Sequence, residues 1–225
     1  MWKWIKTFRS QLILCIAGAG LLTLSFPKAD QGWMAWFGLV PLLLAIRQVY
    51  PKNAFLLGFI FGMVHHLGLV YWTVHTMHHY GNLPVFQAVI ILFLLAGYLS
   101  LFPGLFAALL AWLRSKPSNL PLIAPALWCV LEIVRTHLFT GFPWALLGYS
   151  QYDHLWMIQT ADLFGVYGVS FFIVLVNTVL TLAILGWLEL EWQNQISTGK
   201  LIACCGALVA ALAVAVCGYG IRRIQ

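Results

Sequence analysis

Two ionisable side chains stand in the middle of an otherwise apolar run: Glu132 and Arg135. Three residues apart on a helix, they share one face and can pair. An ionised group at the centre of a membrane helix costs roughly 2.5–3.5 kcal/mol on insertion scales, so such a pair marks either a functional site or a lock on helix packing. A second constellation is His75, His78 and His79, an H-x-x-H-H run that can put metal ligands on one helical face. The competing reading is a solvated loop with interfacial histidines, and the expectation is no metal and no cofactor. A third is Thr140-Gly-Phe-Pro-Trp-Ala-Leu-Leu-Gly-Tyr-Ser-Gln151. Its Gly and Pro make a turn, and its rings suit a membrane–water boundary, as a lipid or partner dock or as a plain aromatic belt. The cysteines, Cys15, Cys129, Cys204, Cys205 and Cys217, all lie in apolar runs without a C-x-x-C pair. They read as small hydrophobes rather than nucleophiles.

The elements holding these residues follow from composition. Of 225 residues, 62% are hydrophobic and 8% charged. A soluble chain is about 25% charged. This one cannot cover a water-facing surface, which excludes an ordinary soluble enzyme, a disordered protein and a nucleic-acid-binding module. Spans of roughly 20 residues predict an all-α polytopic membrane helix bundle, one domain over residues 1–225, with about seven transmembrane helices.

The expected spans are Gln11–Phe26, Trp33–Ile46, Asn53–Thr73, Pro84–Leu113, Pro121–Phe139, Leu163–Leu188 and Leu201–Ile221. The first two are short. The fourth is too long for one straight crossing, and Pro103-Gly104 is expected to kink it. His75–Asn82 and Thr140–His154 read as loops, with an interfacial lead-in from Leu155. Asp162 and Asn177 are expected to pack against other helices.

With alternating spans, Lys3, Lys6, Arg9, Arg47, Lys52, Arg114, Lys116 and Lys200 fall on one face, and Lys28, Arg222 and Arg223 on the other. The positive-inside rule then puts the N-terminus in the cytoplasm and the C-terminus outside. Arg222 and Arg223 run against the rule and argue for six spans instead of seven. The N-terminal cations and the following apolar run imitate a signal peptide, but Pro27-Lys28 is a poor cleavage site, so an uncleaved first span is expected.

Four linked segments carry more than composition does. Ala124-Pro-Ala-Leu-Trp128, Glu132-x-x-Arg135, Thr140-Gly-Phe-Pro-Trp144 and Gly148-Tyr-Ser-Gln151 closely resemble the membrane domain of bacterial apolipoprotein N-acyltransferases. Tyr98-Leu-Ser-Leu-Phe102 and Gly165-Val-x-Gly-Val-Ser-Phe171 look like the same family. The resemblance implies a multi-pass protein of the bacterial inner membrane. It also implies transfer of an acyl chain from phospholipid to the N-terminal diacylglyceryl cysteine of a lipoprotein, through a thioester on a cysteine assisted by a glutamate and a lysine. In the family those groups belong to a nitrilase-like domain following the seventh span. None of their motifs is present in these 225 residues, so no catalytic residue carries over. The chain is expected to position lipid and, alone, to be inactive; the chemistry falls to a nitrilase-like domain encoded separately or lost to truncation. What carries over is Glu132, Arg135, Trp144, Tyr149 and Gln151, as residues shaping a lipid-facing or domain-facing surface. The alternatives are a non-catalytic lipid-binding or scaffold protein and the remnant of a truncated gene.

Overall fold

The computed structural model describes residues 7–113, 116–196 and 198–224. Lys3, Lys6 and Arg114, counted above among the cations of one face, lie outside the described residues. Among the described residues the architecture is an all-α bundle with one two-residue-per-strand hairpin, β1 (Glu191–Trp192) with β2 (Gln195–Ile196).

Helix α1 (Phe8–Leu24) is capped by Thr7, whose hydroxyl accepts from the backbone of Ser10. It stops short of Pro27, with the Ser25 hydroxyl closing back on the carbonyl of Leu22 at 2.7 Å. The next apolar segment is broken into α2 (Ala35–Gly38) and α3 (Val40–Ile46), with Pro41 in the first turn of α3. Such a break cannot face lipid, because freed backbone groups there have no water to bond. Here it is enclosed: Leu39, Leu42, Leu43 and Ile46 are fully buried. Asn177 bridges it, accepting from the backbone N–H of Leu39 and donating to the carbonyl of Ala35, both at 2.9 Å. The expectation that Asn177 packs between helices therefore has a specific form.

Helix α4 (Pro51–Val70) lies along α6 (Val85–Leu113) at very close approach. A Cβ added at Gly58 would stand 2.4 Å from the carbonyl oxygen of Pro103, so only hydrogen fits. Small residues at such contacts let membrane helices pack backbone to backbone. Helix α6 runs unbroken through Pro103, whose ring is buried. Between them, residues expected to form a polar loop instead make a short exposed helix, α5 (Trp72–His79). A histidine-rich run carries no apolar periodicity, but it is free of Gly and Pro and follows directly on α4, so the helix resumes beyond Tyr71.

Helix α7 (Leu120–His137) carries Glu132 and Arg135. The following loop leads through α8 (Leu155–Ile158), the expected lead-in, into α9 (Ala161–Trp187). The first turn of α9 breaks at Gly165, where φ is +63°, a conformation that favours glycine. Helix α10 (Gly199–Ile224) is peripheral, with only Cys205 and Gly220 buried. It touches α8 through Gly220, where a Cβ would stand 1.8 Å from the carbonyl oxygen of Trp156.

Among the described residues five helices, α4, α6, α7, α9 and α10, are long and apolar enough to cross a membrane. Helix α1 has 17 residues, and the Gly32–Ile46 segment is also shorter than a full crossing. The bundle has two ends. At the hairpin end the carbonyl of Arg47 accepts from Gln193 N–H at 3.0 Å, and Gln48 bonds Glu191. At the loop end α1, α4, α7 and α10 finish and α9 begins, with Asp30 bonded to Tyr152 and Asp162 to Arg223. Helix α1 thus starts at the hairpin end and α10 finishes at the loop end.

Candidate lipid-binding site at the loop end

Glu132 and Arg135 share a face of α7 and are both buried, at 4% and 5% exposure. They make no direct ion pair: among the described residues the ion pair is Arg223–Asp162, at 2.8 Å. Each instead holds the loop that follows its own helix. One oxygen of Glu132 accepts from the Trp128 indole N–H at 3.0 Å and from the backbone N–H of Leu147 at 2.7 Å. Arg135 donates to the carbonyl of Ala145 at 3.1 Å and to Nε2 of His66 at 3.3 Å. Its own carbonyl accepts from Phe142 N–H. Hydrogen bonds to charged groups are worth about twice neutral ones, so these contacts are strong anchors.

The rest of the loop is fixed the same way. Gly148 N–H donates to the Ser170 hydroxyl at 2.9 Å. The Gln151 amide, buried at 1%, donates to the carbonyl of Gly32 at 2.8 Å and to Ser150 Oγ at 3.0 Å. Gln151 is therefore a brace between the loop and the α1–α2 connection, not a surface residue. Ala145 is held at φ +61°, a strained conformation for a residue with a Cβ, and the Arg135 hydrogen bond falls on its carbonyl.

Two spaces result. Between α1, α4, α6 and α7 is a cavity of about 20 Å³ with His65, His66, Glu132 and Arg135 among its lining, room for a single water. Beside it a groove of about 1050 Å³ opens at the loop end, at the upper limit of small-molecule sites. Phe26 and Ala145 line both. The groove wall is aromatic: Tyr71, Trp72, Trp144, Tyr149 and Tyr152 line it, and the Trp72 and Trp144 rings meet at 5.6 Å. Trp144 and Tyr149 are 57% and 44% exposed, so their rings are available to a ligand. The Tyr152 hydroxyl donates to Asp30 at 2.7 Å, which pushes its ionisation above the ordinary tyrosine range.

Of the sequence-derived site residues, Trp144 and Tyr149 line the groove, Glu132 and Arg135 line the buried cavity behind it, and Gln151 lies beneath the loop. Sequence reasoning missed His66 as the partner of Arg135, and it counted Lys28 only as a topological charge. An isolated cation just after Pro27, between Phe26 and Trp33, was the available signal. The histidines of α5 stack instead of converging: His75 and His79 have ring centroids 3.9 Å apart. The Nδ1 atoms of His78 and His79 bond the carbonyls of Leu83 and His75. Among the described residues no three His, Cys, Asp or Glu form a set that could hold a metal.

A helical bundle with several helices long and apolar enough to cross a membrane, a ring-walled groove at one end and a buried, side-chain-pinned loop behind it, defines a multi-pass membrane protein. Residues 18–179 match the family described as apolipoprotein N-acyltransferase N-terminal domain. The chain is 41% identical over 183 residues to an apolipoprotein N-acyltransferase of Geobacter metallireducens, covering 81% of this chain and 35% of the relative. It is 32% identical over 189 residues to that of Pasteurella multocida, covering 83% and 36%. With that of Methylococcus capsulatus it shares 33% over 204 residues, covering 88% and 38%. The chain belongs to the apolipoprotein N-acyltransferase family, and it spans little more than a third of the length of these relatives.

Proposed function

We propose that these residues form the membrane part of an apolipoprotein N-acyltransferase, positioning a phospholipid acyl donor and the diacylated N-terminus of a lipoprotein. The observation that carries this reading is the aromatic groove at the loop end, backed by the pinned 140–151 loop. The bundle belongs in the bacterial inner membrane, the hairpin end toward the cytoplasm and the loop end toward the periplasm. Arg9, Lys52 and Lys116 lie at or beyond the hairpin-end termini of α1, α4, α6 and α7, as the positive-inside rule asks. Arg223, which runs against that rule, faces Asp162. The start of α1 and the finish of α10 at opposite ends support an odd number of crossings.

In this reading the bundle does not cleave or form the acyl bond. Glu132 and Arg135 act through the loop, setting Trp144 and Tyr149 where lipid enters, and a nitrilase-like domain supplies the nucleophile. Expression of these 225 residues in cells depleted of endogenous acyltransferase is expected to yield no triacylated lipoprotein by mass spectrometry. Co-expression with a nitrilase-like domain is expected to restore it and to copurify the two. Triacylation by these residues alone overturns the division of labour. Retained phospholipid with no copurifying domain favours the non-catalytic scaffold reading.

A further inference from the structure

Among the described residues, one cation lines the groove. Lys28 is at its rim, its ammonium 4.4 Å from the Tyr71 ring centroid and donating to the Tyr71 hydroxyl. Among the described residues no carboxylate pairs with it; the neighbouring Asp30 accepts from Tyr152. Its backbone has φ +99°, far from the ordinary range of a lysine. Off-range backbone of this kind persists only where surrounding structure enforces it, and it gathers at ligand clamps.

The chemistry of this corner is complementary to a phosphodiester. An ammonium has three donor hydrogens and Tyr71 takes one, leaving two for an anion. The Tyr71 oxygen, accepting from Lys28, leaves its own O–H as a further donor. Beyond them the wall is apolar and aromatic, formed by Trp72 and Trp144. A charged end and a greasy end side by side match an amphiphile with one negative group.

We propose that Lys28 and Tyr71 form the phosphate anchor of the groove, and that its occupant is a glycerophospholipid, seated with its phosphate on Lys28 and its chain against Trp72 and Trp144. The inference rests on the lipid-positioning reading above and adds to it the residues that select the headgroup. Lys28 and Tyr71 are positioning residues: they fix where the phosphate lies and so which part of the lipid reaches the loop.

The test uses the full chain in detergent micelles and equilibrium binding of fluorescent phosphatidylglycerol and of fluorescent diacylglycerol, which lacks the phosphate. Lys28→Ala is expected to weaken phosphatidylglycerol binding about tenfold, the worth of one charge-assisted hydrogen bond, and to leave diacylglycerol binding unchanged. Lys28→Arg is expected to restore it. Unchanged diacylglycerol binding also shows that the alanine variant is folded. Equal loss of both lipids, or loss of neither, overturns the anchor while leaving the lipid groove intact. Failure of the unaltered chain to bind either lipid overturns the groove itself, and the anchor with it. Displacement of the bound phospholipid by millimolar inorganic phosphate alone would show a free-anion site and reject the lipid as occupant.

Discussion

The carboxylate of Glu132 accepts the backbone N–H of Leu147 at 2.7 Å, tying the middle of α7 to a loop residue fifteen positions on. A buried charge here does not meet the buried opposite charge one turn away. It fastens a buried piece of irregular backbone, where an unpaired amide is costly.

Replacing Glu132 by Ala is expected to leave the Leu147 N–H buried and unpaired, at a cost of about 1–3 kcal/mol. Glu132→Gln keeps an acceptor oxygen and should recover most of the loss. Limited proteolysis within 140–152, followed by mass spectrometry, reads the difference. Equal cleavage of the two variants would show that charge, not the acceptor, matters. Arg135→Lys should fall between the unaltered chain and Arg135→Ala in this assay, because a point ammonium does not reproduce the guanidinium fork that reaches both Ala145 and His66.

Asn177→Ala removes the amide that serves both Leu39 N–H and the Ala35 carbonyl. Losing these two buried hydrogen bonds is expected to cost about 1–3 kcal/mol together. The measurement is the thermal midpoint in detergent, with Thr160→Ala, which loses a single local bond to Met157, as the mild comparison. A shift no larger than that of the comparison would mean the α2–α3 break is held by packing alone.

Gly58→Ala drives a Cβ into the Pro103 carbonyl and should destabilise the bundle by about 1–3 kcal/mol through overpacking of α4 on α6. Gly20→Ala, with nothing within 4 Å of its added Cβ, is expected to be neutral or slightly stabilising. Matching thermal shifts would contradict the close approach of the two helices.

Docking of α10 provides a contest between packing and charge. The Arg223–Asp162 pair is solvent-exposed, and such pairs contribute about 0–1 kcal/mol. Gly220→Ala places an atom 1.8 Å from the Trp156 carbonyl. Spin labels on α8 and α10 should therefore separate in Gly220→Ala and keep their distance in Arg223→Ala. Separation in the second variant alone would reverse the ranking.

Much of the bundle was legible in local pattern. Long apolar runs located α4, α6, α7, α9 and α10, and the three-residue spacing put Glu132 and Arg135 on one face. The Gly and Pro content of 140–151 marked a turn segment. What pattern could not carry was partnership across distance. His66 meets Arg135 across 69 positions, and Gln151 meets Gly32 across 119. Neither contact leaves a periodicity to read. The proximity of Glu132 and Arg135 suggested each other as partners because sequence shows neighbours and not the loop folding back between them. Helix α5 was missed for the opposite reason: its polar composition resembled a loop, while its backbone had nothing to stop it being helical.

Asn177 also has a consequence in time. It lies 138 residues beyond Leu39, and its amide serves a break near the start of the chain. While the protein is being made, Ala35–Ile46 leaves the ribosome long before α9 exists. Until α9 inserts, the amide of Leu39 and the carbonyl of Ala35 lack the side chain that bridges them. The early half of the bundle is therefore provisional, completed only when a late helix arrives. A chain interrupted before Asn177 would lack the amide that bridges this break, so the early segment depends on a helix made much later.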